Sequence, residues 1–83
     1  MMNTFFVLIK CELGKANVVA AAIVDGVEGT SEVYSTSGEY DLIAKFNLNP
    51  NDDIGRFVTG QVQMVPGIRE TFTIMTFSPF RHD

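Results

Sequence analysis

The chain has 83 residues, of which 46% are hydrophobic, and a formal net charge of −4. That length predicts a single domain over residues 1–83, with a core from about 4 to 78 and a tail at 79–83. Six scattered lysines and arginines, no two of them adjacent, exclude the basic stripe that DNA, RNA or anionic lipid would require.

So short a chain buries only about 60% of its unfolded surface. With seven phenylalanines in the composition, the usual remedy is association with further copies. The single cysteine, Cys11, makes no internal disulfide, and its apolar run suits a small buried hydrophobe. The first charge, Lys10, follows the first apolar run instead of preceding it, and no run approaches the ~20 residues of a membrane span. The expectation is a reducing, cytoplasmic setting.

The first element is a strand in TFFVLIKCEL, residues 4–13. Phe5, Val7, Ile9 and Cys11 share one face; Phe6 and Leu8 occupy the other. A helix follows from about Lys15 to Asp25, with Gly14 before it. Ala16, Val19, Ala20, Ile23 and Val27 recur at helical spacing, and Gly26 is expected as a left-handed stop. TSEVYST (30–36) is a strand with mixed faces. TSGEYD (36–41) links it to DLIAKFNL (41–48), where Leu42, Ala44, Phe46 and Leu48 form one face.

Asn49-Pro50 predicts the start of a second helix, with Asn49 as N-cap and Pro50 first in the helix. Asp52 and Asp53 suit its dipole. Ile54, Phe57, Val58, Val62 and Val65 form its apolar face. Gly55 and Gly60 each cost it roughly 1 kcal/mol relative to alanine, so it needs tertiary packing. Pro66-Gly67 ends it, and IRETFTIMTF (68–77) is the last strand.

The order β-α-β-β-α-β predicts an α+β, ferredoxin-like fold: a four-stranded antiparallel sheet with two helices on one face. An internal repeat supports two halves. VEGTSEVY (27–34) and VPGIRETF (65–72) share V-x-G-x-x-E, each at a helix-to-strand joint. Phe6, Leu8 and one side of the last strand are left on the uncovered sheet face. A two-fold dimer with sheet packed on sheet, a dimeric α/β barrel-type assembly, hides them most simply.

Catalytic and metal chemistry lack residues. The only histidine, His82, is one residue from the C-terminus, where a frayed tail is expected. No metal-ligand spacing, nucleophile–base pair, P-loop or dinucleotide-binding glycine pattern occurs. No metal and no cofactor are expected.

TSGEYD remains. Gly38 permits a positive φ, and N–H groups of such a turn can hold a carboxylate. Glu39 or Asp41 could hold an ammonium group, and Thr71 and Thr73 share a face of the last strand. Together these groups complement a free amino acid. The plainer reading is a turn with two solvated acids.

These two stretches, TSGEYD followed by LIAKF and VPGIRETFT, carry a resemblance. The chain resembles the ligand-binding, C-terminal domain of the Lrp/AsnC family of amino-acid-responsive transcription regulators, the RAM domain. Gly38, Tyr40, Asp41, Pro66, Gly67, Thr71 and Thr73 match the family pattern; Ser37 departs where a threonine is usual. The resemblance spans about residues 4–78. It implies dimers formed through the sheets and assembled into rings, commonly octamers, with amino acids bound between dimers. Carried over, Gly38, Glu39, Tyr40 and Asp41 line one side of that site. Thr71 and Thr73 line the other, and Thr36 and Arg69 are further candidates.

Family regulators begin with a DNA-binding helix-turn-helix, whereas this sequence starts at the first strand. The resemblance therefore implies a stand-alone amino-acid-binding module, not an enzyme and with no DNA contact of its own. It would sense or buffer an amino acid, or modulate a full-length regulator of the family as partner. Two other classes stay open: a small cofactor-free enzyme of the dimeric barrel type, and a purely structural assembly module. An ACT-type amino-acid-binding domain is a related rival, with its ligand at the first β-α joint, where Gly14 stands.

Overall fold

The structure is a computed structural model and describes residues 2–80. The expected tail position of His82 lies outside the described residues. In chain order the elements are β1 (Asn3–Cys11), α1 (Ala16–Gly26), β2 (Thr30–Ser35), β3 (Leu42–Leu48), α2 (Ile54–Phe57) and β4 (Ile68–Met75). Helix α2 runs directly into a π-helical turn, Val58–Val62. The strands form one antiparallel sheet in the order β2-β3-β1-β4, the ferredoxin-like arrangement that the sequence predicts.

Alternation in β1 and β3 builds the core. Phe5, Val7, Ile9 and Cys11 are buried on the same face as Leu42, Ala44, Phe46 and Leu48. Val19, Ile23 and Val27 of the first helix and its exit close over them, with Val58 and Val62 from the second. Phe5 stacks on Phe46 at 5.5 Å, and the Phe57 ring meets both edge-on at 5.9 and 5.1 Å. Each such pair adds about 0.5–1.5 kcal/mol beyond the area it buries. Every apolar position expected on the second helical stretch packs on this core.

Several local expectations are corrected. Helix α1 includes Gly26, which is not left-handed; the chain leaves through extended Val27, and the positive φ falls at Gly29. Thr30 takes over the stop, its hydroxyl donating to the Val27 carbonyl at 2.6 Å. The second helix starts at Ile54, with Asp53 as N-cap accepting from the Arg56 N–H at 3.1 Å. Asn49 and Asp52 instead close a turn on each other. Both Asn-Pro and Asp are good openers of a helix, and the cap nearer the apolar face prevails. Strand β4 ends at Met75, with Phe77 fully exposed beyond it.

The repeat has a backbone counterpart. Gly29 and Gly67 have φ of 91° and 98°. A Cβ on Gly67 would lie 2.9 Å from Val19, and one on Gly29 would lie 2.9 Å from Leu48. No L side chain fits either joint without displacing its neighbour.

The face of the sheet away from the helices is open. The register sets Tyr34, Ile43, Leu8 and Phe72 in one row across all four strands. The next row holds Glu32, Lys45, Phe6 and Ile74. Phe72 is 54% exposed and Tyr34 53%.

Candidate functional site

The hairpin carrying the expected ligand residues sits where β1 runs past the start of β3. Its base is closed by the Thr36 N–H donating to the Asp41 carbonyl at 3.0 Å, and the Thr36 hydroxyl donating to the Tyr40 carbonyl at 2.8 Å. Gly38 has φ of 102°, with no atom within 4 Å of where a Cβ would stand. The turn therefore needs glycine for its backbone alone, and the space around it is empty.

Asp41 is tied into the sheet. Its N–H donates to the Ile9 carbonyl at 2.9 Å, and its carboxylate accepts the Cys11 N–H at 2.7 Å. The carboxylate thus ends the β1–β3 ladder by receiving a donor with no strand partner. Burial, and secondarily the Asp41 charge, raise the Cys11 thiol above its ordinary value of 9.0. Cys11 is a buried core residue, as the sequence suggests.

Glu39 is reached by a residue that sequence reasoning missed. Lys10 lies on the open sheet face, in line with Phe6 and Leu8. Its ammonium is 3.7 Å from the Glu39 carboxylate and 3.6 Å from that of Glu70, and 5.9 Å from the Tyr40 ring centre. Alternation along β1 places Lys10 on this face, but only the pairing of β4 beside β1 reveals its neighbours.

A cleft of about 250 Å³ opens at this end of the molecule, with Lys10, Glu12, Gly14, Glu39, Asp41 and Arg69 among its walls. Three segments distant in sequence converge here: the hairpin, the β1–α1 joint and the start of β4. Of the expected ligand residues Glu39, Asp41 and Arg69 line it, whereas Gly38, Tyr40 and Thr36 do not; Gly14, where the rival ACT-type reading puts a ligand, is also in its wall. Ala16, first residue of α1, also lines it. Lys15 at the N-cap supplies no side-chain hydrogen bond, so first-turn N–H groups of α1 lack a side-chain acceptor there.

Thr71 and Thr73 are not brought to this cleft. Opposite Ile9 and Val7, they share the helix-covered face of the sheet, and Thr71 accepts from the Gln63 amide at 2.7 Å. Within one copy they lie across the sheet from Lys10 and Glu70. A larger open cleft, about 610 Å³, occupies the far end of the sheet between Glu28–Gly29, the Asn49–Asp53 turn and Gly60–Gln61. None of the expected ligand residues lines it. Among the described residues no cluster of metal-ligating side chains occurs, and no helix is long and apolar enough to cross a membrane.

The class is thus a ferredoxin-like α+β domain whose hairpin acids Glu39 and Asp41 line a mixed-charge cleft. Residues 4–83 match the family described as Lrp/AsnC ligand binding domain, and the chain belongs to that family. It is 33% identical over 70 residues to the HTH-type transcriptional regulator FL11 of Pyrococcus abyssi, covering 84% of this chain and 45% of that regulator. The chain thus spans about half the length of the curated relatives it matches. Among solved structures, that of FFRP-DM1 superposes with a TM-score of 0.83 at 30% identity, covering 93% of this chain and all of that one. The transcriptional regulator NMB0573 of Neisseria meningitidis, solved as a complex with L-Met, is similar in fold. Its TM-score is 0.81 at 15% identity, covering 96% of this chain and 53% of that one. The curated relatives carry the name of HTH-type transcriptional regulators.

Proposed function

We propose that this chain is an amino-acid-binding, oligomeric module of transcription regulation. The observation that carries the proposal is the convergence of Glu12, Glu39 and Asp41 with Lys10 and Arg69 around one small cleft. Charges of both signs around one cleft, with Lys10 3.7 Å from Glu39, complement a zwitterion. Glu39 is the acceptor for the ammonium group, and Arg69 with the N–H groups at the start of α1 receives the carboxylate. Asp41 holds the hairpin to β1 and shapes the wall. Tyr40 borders the site through its contact with Lys10.

Two copies pack their open sheet faces together and hide the Tyr34–Ile43–Leu8–Phe72 row. Dimers then associate into a ring, where Thr71 and Thr73 meet the hairpin of a neighbouring dimer, which has Thr36 at its base. This would reconcile the separation of the threonines from the cleft within one copy. These residues do not contact DNA, having net charge −4; a DNA-binding regulator of the same family is the partner whose activity the module adjusts.

Native mass spectrometry with and without each of the twenty amino acids tests this, with L-methionine first because the similar Neisseria structure holds it. The expected result is an even-numbered assembly that gains the mass of bound amino acid and melts at a higher temperature. Glu39→Gln should remove the gain and leave the assembly. If no amino acid changes mass or melting, the ligand claim fails and a purely structural assembly module takes its place.

A further inference from the structure

The hairpin tip bears Glu39, to which the proposed ligand binds, yet its own hydrogen bonds close only its base, at Thr36, Tyr40 and Asp41. Gly38 touches nothing through the space of its absent side chain. Among the described residues, the side-chain tie from the sheet to the tip is Lys10. Its side chain is only 26% exposed, although the carboxylates that it faces belong to residues 75% and 61% exposed at the side chain. The lysine stem lies along the sheet while its head reaches out to the loop. One ammonium stands between two carboxylates, and the Tyr40 ring offers it a third contact.

We infer that Lys10 is the positioning residue of the hairpin: a latch that joins the loop tip to β4 and fixes where the Glu39 carboxylate stands. The inference rests on the proposed amino-acid site for its functional consequence, but the latch itself is a property of the empty chain. The charge count suits the role. Lys10, Glu39 and Glu70 together carry one net negative charge, so an incoming ammonium group completes the balance without displacing the lysine. Because Lys10 stands on the sheet face that two copies would share, the same side chain makes the loop responsive to pairing of the sheets.

The test compares the full chain with Lys10→Met and Lys10→Arg. Backbone order parameters by ¹⁵N relaxation report the latch without any ligand. In wild type the amides of Gly38 and Glu39 should resemble rigid backbone, about 0.85, and in Lys10→Met they should fall toward ~0.6. Lys10→Arg should restore order. Raising the salt concentration should loosen the wild-type tip and leave Lys10→Met unchanged, because exposed ion pairs are screened. With L-methionine, or whichever of the twenty amino acids binds wild type, affinity should fall roughly three- to tenfold in Lys10→Met, the scale of losing one or two exposed ion pairs. Equal order parameters in wild type and Lys10→Met overturn the latch, as does undiminished affinity in Lys10→Met. If wild type binds none of the amino acids, the proposed site fails, and the order parameters alone decide the latch.

Discussion

Gly38 and Gly67 have nearly the same backbone, φ of 102° and 98°, and opposite surroundings. Gly67 is pressed against the first helix: a Cβ there would lie 2.9 Å from Val19 and 3.3 Å from the Lys15 stem, and its carbonyl accepts the Glu12 N–H at 2.8 Å. Gly38 faces open space. The fold accounts for Gly67 completely, through packing and handedness together. At Gly38 it accounts only for handedness, and the emptiness is left over. Two turns of like sequence chemistry therefore separate into a packed joint and an open one.

Substitution at the closed joint should cost most. Gly67→Ala meets both a disfavoured backbone and a collision, and should destabilise the protein by about 2–4 kcal/mol in urea unfolding. An equal cost at Gly38→Ala would erase the distinction between the joints. Next comes the hairpin base. Asp41→Ala orphans the Cys11 N–H and should cost roughly 2 kcal/mol, within the range for hydrogen bonds to a charged group. It is thus a poor probe of ligand binding, and Glu39→Gln is the cleaner variant.

Gly38→Ala should cost about 1 kcal/mol: backbone strain, partly offset by a less flexible unfolded chain. Its amino-acid binding should nevertheless drop clearly, because Glu39 would shift. The smallest effect is alkaline. The raised Cys11 thiol keeps its proton in the folded chain after the unfolded chain has released it. Its contribution is therefore full below about pH 9 and declines as pH rises through the folded value. The urea midpoint of wild type should fall between pH 8 and pH 10 more steeply than that of Cys11→Ala. Parallel slopes would show that the thiol contributes nothing to the hairpin base.

Much of the fold was legible because period two and period 3.6 are imposed by burial. Phe5, Val7, Ile9, Leu42, Ala44 and Phe46 announce their face in the sequence, and the second helix shows all its core residues despite two glycines. Its start was not legible, because Asn49 and Asp53 are both competent caps and only packing selects between them. The π-helical turn at Val58–Val62 left no periodic trace, since its valines also fit an α-helix. At the candidate site, Gly38 and the acids were visible as a turn with charge. Asp41 as a structural acceptor and Lys10 as the partner of Glu39 were not, because both depend on which strands lie side by side.

The V-x-G-x-x-E repeat carries one more consequence. Gly29 and Gly67 both lock a helix-to-strand joint against a neighbour, and each repeat ends in a glutamate opposite a lysine: Glu32 beside Lys45, Glu70 beside Lys10. Each of these fastenings joins one β-α-β half to the other: Gly29 meets Leu48 of β3, Gly67 meets Val19 of α1, and each glutamate faces a lysine of the opposite half. Of the hairpin tip, only Glu39 reaches them by an ion pair, through Lys10. Substitution at Ser37 should therefore leave both joints in place, whereas Gly38 is held by its backbone.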